Sequence, residues 1–372
     1  MSSPLDELAL LLRPAGAGLH TVSTGRKAQL ELQTTLYGVD RPEEVIPAWR
    51  RALATFPQAK VVVLGIPSDC GAGLVRGASF GPQALRAALQ QARPDLRAWA
   101  QQNGVLDVGD VAVVPHFLSD DMLSEPQKQA SRAALYPDLP AEQAAELPVA
   151  PLTIAERALG CIFALAPRAK LLVLGGDHSV AWPVVATLAR RHPGTLGIVQ
   201  PDAHTDLLPE RLGVRLCFAT WAYHANDLLG RGGRLVQVGV RASSRPRTHW
   251  ESTLGVRQLW AEEIRARGEG PATEEIVAHL KARGVRQLYF SNDIDATDAG
   301  AAPSTGAPEA GGLRPEFVRA LIARLGAEFD LVAADLVEVA PPVGSAEQSR
   351  QTVAVGVSYL ISSLDSLLGG TT

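Results

Sequence analysis

Asp202-Ala203-His204-Thr205-Asp206 is a run of hard metal ligands set after an apolar stretch, Gly197-Ile198-Val199-Gln200, and a single Pro201. In an extended chain alternate side chains share a face, so Asp202, His204 and Asp206 converge on one point and suit a divalent cation. On its own the pentapeptide reads equally well as a polar turn after a strand. Asp293 and Asp295 repeat the spacing of two. Side by side without a cation they would repel, and one would hold its proton far above the usual carboxylate range. His178 stands in Gly175-Gly176-Asp177-His178-Ser179, which taken singly is also a tight turn leading into a helix. Together these four carboxylates and two imidazoles are too many for one catalytic zinc and match two ions about 3.5–4 Å apart. Two divalent ions would balance the four Asp charges, so Glu338, in Asp335-Leu336-Val337-Glu338, leaves the site net negative and receptive to a cationic substrate. Oxygen-rich ligation with some imidazole suits Mn2+, and Ni2+, Co2+ or Fe2+ also fit the donor types.

The elements that must position these groups are short apolar runs at 60–66, 170–174, 195–200, 234–240, 285–291 and 329–334. Their apolarity is continuous rather than alternating, which predicts strands buried on both faces of a parallel sheet. Helical patterns at 82–92, 154–165, 180–191, 274–283 and 314–325 lie between them, giving a repeated β-α order and a three-layer α/β/α sandwich with a mainly parallel central sheet. Ligands of such sheets sit beyond the carboxyl ends of the strands, where all four acidic stretches fall. Residues 1–58 read as an N-terminal extension ahead of the first strand, with helical pieces around Leu30 and Pro47, and 59–372 as the catalytic domain. An insertion rich in Pro, Ala, Gln and acidic residues interrupts it at about 115–151.

At 372 residues, with 46% hydrophobic and 20% charged residues, the chain can bury a large core. A net charge of -4 offers no general attraction to nucleic acid or anionic membranes. No apolar run approaches a membrane span, and the acidic start with Asp6 and Glu7 is no secretory signal. Cys70, Cys161 and Cys217 are scattered and odd in number, which fits a reducing, cytoplasmic setting.

The three metal stretches, 175–179, 202–206 and Ser291-Asn292-Asp293-Ile294-Asp295-Ala296-Thr297-Asp298, resemble those of the ureohydrolases, the family of arginases, agmatinases and guanidino-acid hydrolases. Gly65-Ile66-Pro67-Ser68-Asp69, Asp107-Val108-Gly109-Asp110-Val111, Val238-Gly239-Val240-Arg241 and Val337-Glu338-Val339-Ala340-Pro341-Pro342 extend the likeness from about residue 60 to the end, and favour the agmatinase-like branch. The resemblance implies an arginase-like fold and two Mn2+, with Ni2+ as a substitute. His178, Asp202, Asp206 and Asp293 would hold one ion, and Asp202, His204, Asp293 and Asp295 the other. It also implies activation of a shared water for attack on a guanidinium carbon, Asp206 as the proton carrier, Glu338 as the partner of the guanidinium fork, and a homo-oligomer, trimer or hexamer.

The likeness fails in one place. Many family members carry His-Gly-Thr shortly after the second metal stretch, whereas this chain reads Arg215-Leu216-Cys217-Phe218-Ala219-Thr220-Trp221. Phe218 takes the histidine's place, and Phe218, Thr220, Trp221 and His224 are the expected substrate wall, bulkier and less polar than usual. That wall argues against arginine and for agmatine, a short guanidino acid or guanidine itself. Hydrolysis of a formimino or other C–N bond, or a catalytically silent binding role, are the alternatives. The Gly71–Gly77 loop lacks the Lys-Ser/Thr of a phosphate loop and a matching acid downstream, and Cys217 has no evident His partner, so a nucleotide site and a cysteine nucleophile are minor readings.

Overall fold

The computed structural model describes residues 3–19, 23–73 and 75–370, so Leu74 of the Gly71–Gly77 loop lies outside it. Nine strands form one sheet: β1 (Leu12–Arg13), β2 (Val61–Ile66), β3 (Val105–Val111), β4 (Lys170–Gly175), β5 (Leu196–Pro201), β6 (Leu235–Val240), β7 (Arg257–Trp260), β8 (Gln287–Asp293) and β9 (Asp330–Val337). Their order is β1-β3-β2-β4-β9-β8-β5-β6-β7, and every pairing is parallel except β1 with β3. The mainly parallel α/β/α sandwich expected from the continuous apolar runs is what forms.

Helices cover both faces. On one side Pro151–Leu165, Ala181–Arg191 and Trp221–Leu228 pack with the N-terminal helices against Val62, Leu64, Leu171, Val173 and Ile198. On the other, Gly81–Ala92, Glu269–Ala282, Pro315–Glu328 and Ala346–Leu367 pack against Val61, Leu172, Leu174, Val199 and Phe290. A strand such as β2 is buried along its whole length because alternate side chains enter two different cores. Each large aliphatic side chain so buried contributes about 1.5–3 kcal/mol.

Three strands, the longest helix and several short helices, among them Pro4–Leu11, Leu96–Asn103, Arg247–Leu254 and Ala261–Arg267, go beyond the elements expected from sequence. β3 reads Val-Leu-Asp-Val-Gly-Asp-Val, its apolar pattern broken by Asp107 and Asp110. Both carboxylates belong to one buried arrangement: Arg86 donates from Nε to Asp107 Oδ2 at 2.7 Å and from Nη1 to Asp110 Oδ1. β7 has only four residues, and β1, which pairs with β3 at Leu12↔Val111, only two. A strand therefore precedes residue 60, in a segment expected to hold helices alone. Those helices are present as Arg26–Tyr37 and Val45–Leu53, and the 115–151 stretch folds as short helices at Glu125–Leu135 and Ala141–Ala144. Among the described residues, no helix is long and apolar enough to cross a membrane.

Candidate metal centre and active-site rim

Four adjacent strands in the middle of the sheet, β4, β9, β8 and β5, end at the same rim. β4 runs into His178, β9 into Glu338, β8 into Asp293 and Asp295, and β5 into Asp202, His204 and Asp206. Between β4 and β5 the chain turns from building one half of the sheet to the other, and the resulting crevice is where a ligand fits such a sheet. Gly176 makes the close approach possible, since a Cβ there would lie 1.8 Å from the Ser68 carbonyl oxygen.

The six expected ligands come together. His178 Nδ1 lies 3.2 Å from Asp202 Oδ2, 3.4 Å from Asp206 Oδ2 and 3.1 Å from Asp293 Oδ2. His204 Nδ1 lies 3.1 Å from Asp295 Oδ2 and 3.6 Å from Asp202 Oδ1. Potential ligand atoms thus fall in two groups, His178-Asp202-Asp206 and Asp202-His204-Asp295, that share Asp202. Asp293 Oδ1 accepts from the Asp295 amide, and Asp295 Oδ1 from the Ala203 amide, locking the motifs to one another. All are buried except His204, whose side chain is 29% exposed and marks the open side.

The orientation of His178 tests whether a cation fits. Its Nε2 is 3.1 Å from Ser291 Oγ, which donates to Asp335 Oδ2 at 3.0 Å. With the Ser291 proton committed to Asp335, the serine oxygen accepts, so Nε2 carries hydrogen and Nδ1 is the nitrogen turned toward the carboxylates. Burial opposes charge on the ring, but Asp202 and Asp293 hold a proton on it that a cation at Nδ1 would displace. Nδ1 is buried and without a hydrogen-bond partner, facing the gap among three carboxylates. An orphaned imidazole nitrogen amid crowded carboxylates matches the donor set of a divalent cation. The electrostatics agree. Burial and then the Asp202 charge push the Asp206 carboxyl well above its usual range, and burial and then Asp295 do the same to Asp293. Burial opposes charge on His204, yet Asp202 and Asp295 raise it to about 12. Protons are held here where metal ions would otherwise compensate the charge.

Glu338 holds a left-handed backbone (φ 61°), as does Asp206 (φ 51°). Non-glycine residues adopt this region at a cost of about 1–3 kcal/mol, and chiefly at functional sites. Glu338 Oε1 accepts from the His178 amide at 3.0 Å. Its Oε2 faces Gly306, where a Cβ would come within 2.9 Å of the Val75 carbonyl oxygen, so the absence of a side chain keeps that side clear.

The expected substrate wall divides. Phe218 lies on the rim: its amide donates to Gly71 O, and its ring lies 3.0 Å from where a Gly73 Cβ would sit, under the Arg211 guanidinium at 4.9 Å. Thr220 is buried and bonded to the Cys217 backbone. Half-buried His224 shares its Nε2 between the carbonyls of Pro209 and Arg215, pinning the Leu208–Arg215 turn. Trp221 is wholly buried, its ring centroid 4.6 Å from that of His178, and its Nε1 donates to Asp206 Oδ2 at 3.0 Å. Sequence reasoning treats Trp221 only as bulk and passes over Arg211. A lone indole N–H leaves no spacing pattern to read. Trp221→Phe keeps an aromatic ring in the core but removes this donor, so the turnover number should fall about tenfold to a hundredfold, with some loss of thermal stability from the smaller ring. Steady-state kinetics well below the variant's melting temperature checks it, and an unchanged rate there would show that the bond does not matter.

The sequence model of the Arginase family matches residues 59–364. Over 312 residues the chain is 31% identical to the mitochondrial guanidino acid hydrolase of Homo sapiens, covering 82% of this chain and 78% of that protein. It is 30% identical over 346 residues to the mitochondrial agmatinase of Gallus gallus, covering 89% and 88%. Among solved structures, proclavaminate amidino hydrolase from Streptomyces clavuligerus superposes with a TM-score of 0.63 at 27% identity, covering 82% of this chain and 93% of that one.

Proposed function

The chain belongs to the arginase family and is a ureohydrolase, and from that premise we propose a two-metal hydrolase that cleaves a short guanidino acid to urea and an amino acid. His178, Asp202, Asp206 and Asp293 would hold one ion, and Asp202, His204, Asp293 and Asp295 the other. Bound there, Mn2+ or Ni2+ supplies Lewis acidity and brings the pKa of water into the neutral range. The orphaned His178 Nδ1 between three carboxylates carries this reading.

The protein's own groups have separate tasks. Glu338 is a buried carboxylate beside the cluster and would pair with the planar N–H fork of the guanidinium, holding its carbon toward the metal ligands. Asp206, held by Trp221, accepts the proton of the attacking water and returns it to the leaving nitrogen as the C–N bond breaks. Burial of the ligands keeps bulk water out, which strengthens each of these interactions.

Arg211 favours a guanidino acid over agmatine. Its guanidinium is the cation stacked on Phe218 at the rim, placed to attract a distal carboxylate and to repel a distal ammonium. The test is urea release by protein loaded with Mn2+ or Ni2+ from guanidinoacetate, 3-guanidinopropionate, 4-guanidinobutyrate, agmatine, arginine and guanidine, with a formimino substrate beside them. No urea from any of them with both metals bound refutes the proposal. Arg211→Ala should lower kcat/KM for 4-guanidinobutyrate about fivefold, the worth of roughly 1 kcal/mol at an exposed charge, and raise it for agmatine. Equal effects on both would remove Arg211 from recognition.

A further inference from the structure

A chain of buried side-chain amides crosses three strands and ends on Asp202. Trp260 Nε1 donates to Gln258 Oε1 at 3.0 Å, Gln258 Nε2 to Gln237 Oε1 at 2.7 Å, Gln237 Nε2 to Gln200 Oε1 at 2.8 Å, and Gln200 Nε2 to Asp202 Oδ2 at 2.7 Å. The geometry follows from the sheet. Gln200 pairs with Gln237 across β5 and β6, and Gln237 with Gln258 across β6 and β7, so three amides stand abreast. Gln200 to Asp202 and Gln258 to Trp260 are steps of two along one strand, which keeps all five side chains on one face. The three glutamines are 0% exposed.

The direction of the chain is set independently at both ends. Indole N–H can only donate, and an ionised carboxylate can only accept. Each amide between them must therefore present oxygen toward Trp260 and nitrogen toward Asp202, whichever way its atoms are assigned. Gln237 spends its second N–H on the Thr205 carbonyl at 2.5 Å, inside the metal-binding pentapeptide itself. Hydrogen bonds aligned head to tail polarise one another, so the last donor is stronger than a lone amide.

We propose that Trp260, Gln258, Gln237 and Gln200 form a positioning relay that fixes the shared ligand Asp202, and thereby sets metal affinity from the edge of the sheet. The relay rests on the reading of Asp202 as a ligand of both ions. It acts on Oδ2, the oxygen 3.2 Å from His178 Nδ1, while Oδ1 accepts from the His204 amide at 2.6 Å, so both oxygens are fixed in direction. A plain core role for the same glutamines would stabilise the fold and leave the affinity for metal alone.

The test is Mn2+ binding to the full chain, stripped of metal and titrated against a competing chelator, with thermal melting of the metal-free protein measured in parallel. Gln200→Leu should weaken Mn2+ binding about tenfold or more, as loss of a ligand-orienting partner does. Trp260→Phe, made at the half-buried far end, should weaken it about twofold. In the Gln200→Leu background Trp260→Phe should change nothing further, because the broken relay no longer transmits. If Gln200→Leu does not fold, Gln258→Leu takes its place in the same cycle. Lower melting temperatures with unchanged Mn2+ affinity would overturn the relay, as would a Trp260→Phe effect that persists in full after the chain is broken. A native protein that binds fewer than two Mn2+ overturns instead the two-metal reading beneath it.

Discussion

Asp206→Asn should abolish most turnover while leaving both metal ions in place. Asparagine keeps a carbonyl oxygen where Asp206 Oδ2 meets the Trp221 N–H, so the 3.0 Å hydrogen bond and one ligand atom survive. It also tolerates the left-handed backbone at this position (φ 51°) better than most residues, so the fold is not strained further. What it lacks is the ability to take a proton. Loss of a positioned general base lowers rates by about 10²–10⁴-fold, and the fall should appear in kcat with little change in KM. Metal content per chain and steady-state kinetics measured on one preparation decide the matter. A turnover number within a few-fold of the native one would remove Asp206 from proton transfer.

Glu338→Gln is the second large effect, and it should separate activity from stability. The amide oxygen can still accept the His178 N–H that Glu338 Oε1 now accepts at 3.0 Å, so the turn after β4 stays closed. The charge facing the guanidinium disappears. A charge-assisted hydrogen bond is worth about 3 kcal/mol at most, which corresponds to roughly a hundredfold loss in kcat/KM. In the metal-free protein the substitution should instead be neutral or stabilising. Burial and then the Asp293 charge already disfavour ionised Glu338, and glutamine relieves both. The expected pattern is a depressed kcat/KM with a metal-free melting temperature no lower than the native one. An unchanged kcat/KM would take Glu338 out of the site.

The candidate metal cluster was legible because it obeys two simple rules at once. Its residues recur at intervals of two, and each group begins where an apolar run ends, so the strand ends deliver Asp202 and Asp293 to one rim. His204, Asp206 and Asp295 reach it through turns beyond the strands, Asp206 with a left-handed backbone, and not through the extended chain the spacing suggests. The parts that were not legible depend on partners distant in sequence. Asp107 and Asp110 look like breaks in a strand until Arg86 is seen between them. Trp221 and His224 look like wall residues, yet one holds Asp206 from inside the core and the other pins a turn. Gln200, Gln237 and Gln258 are unremarkable in three separate strands and acquire meaning only through the strand order, which no local pattern encodes. The helix Ala346–Leu367 is long but weakly patterned, since it contacts β9, Gly81–Ala92 and Pro315–Glu328 along different sides.

The position of β8 and β9 between β4 and β5 also governs when the site can exist. Synthesis from the N-terminus produces His178 and Asp202–Asp206 early, on strands that have no pairing with each other. Until residues 287–337 emerge, the strand order allows at most two partial sheets, β1-β3-β2-β4 and β5-β6-β7, each with an open edge facing the gap. The last strands close that gap and bring Asp293, Asp295 and Glu338 to the residues already made. Such non-local pairing is slow and leaves exposed edges that invite association with other chains. A ribosome-bound chain stopped before β8 should therefore hold no metal pair, however many of its ligands have already been made.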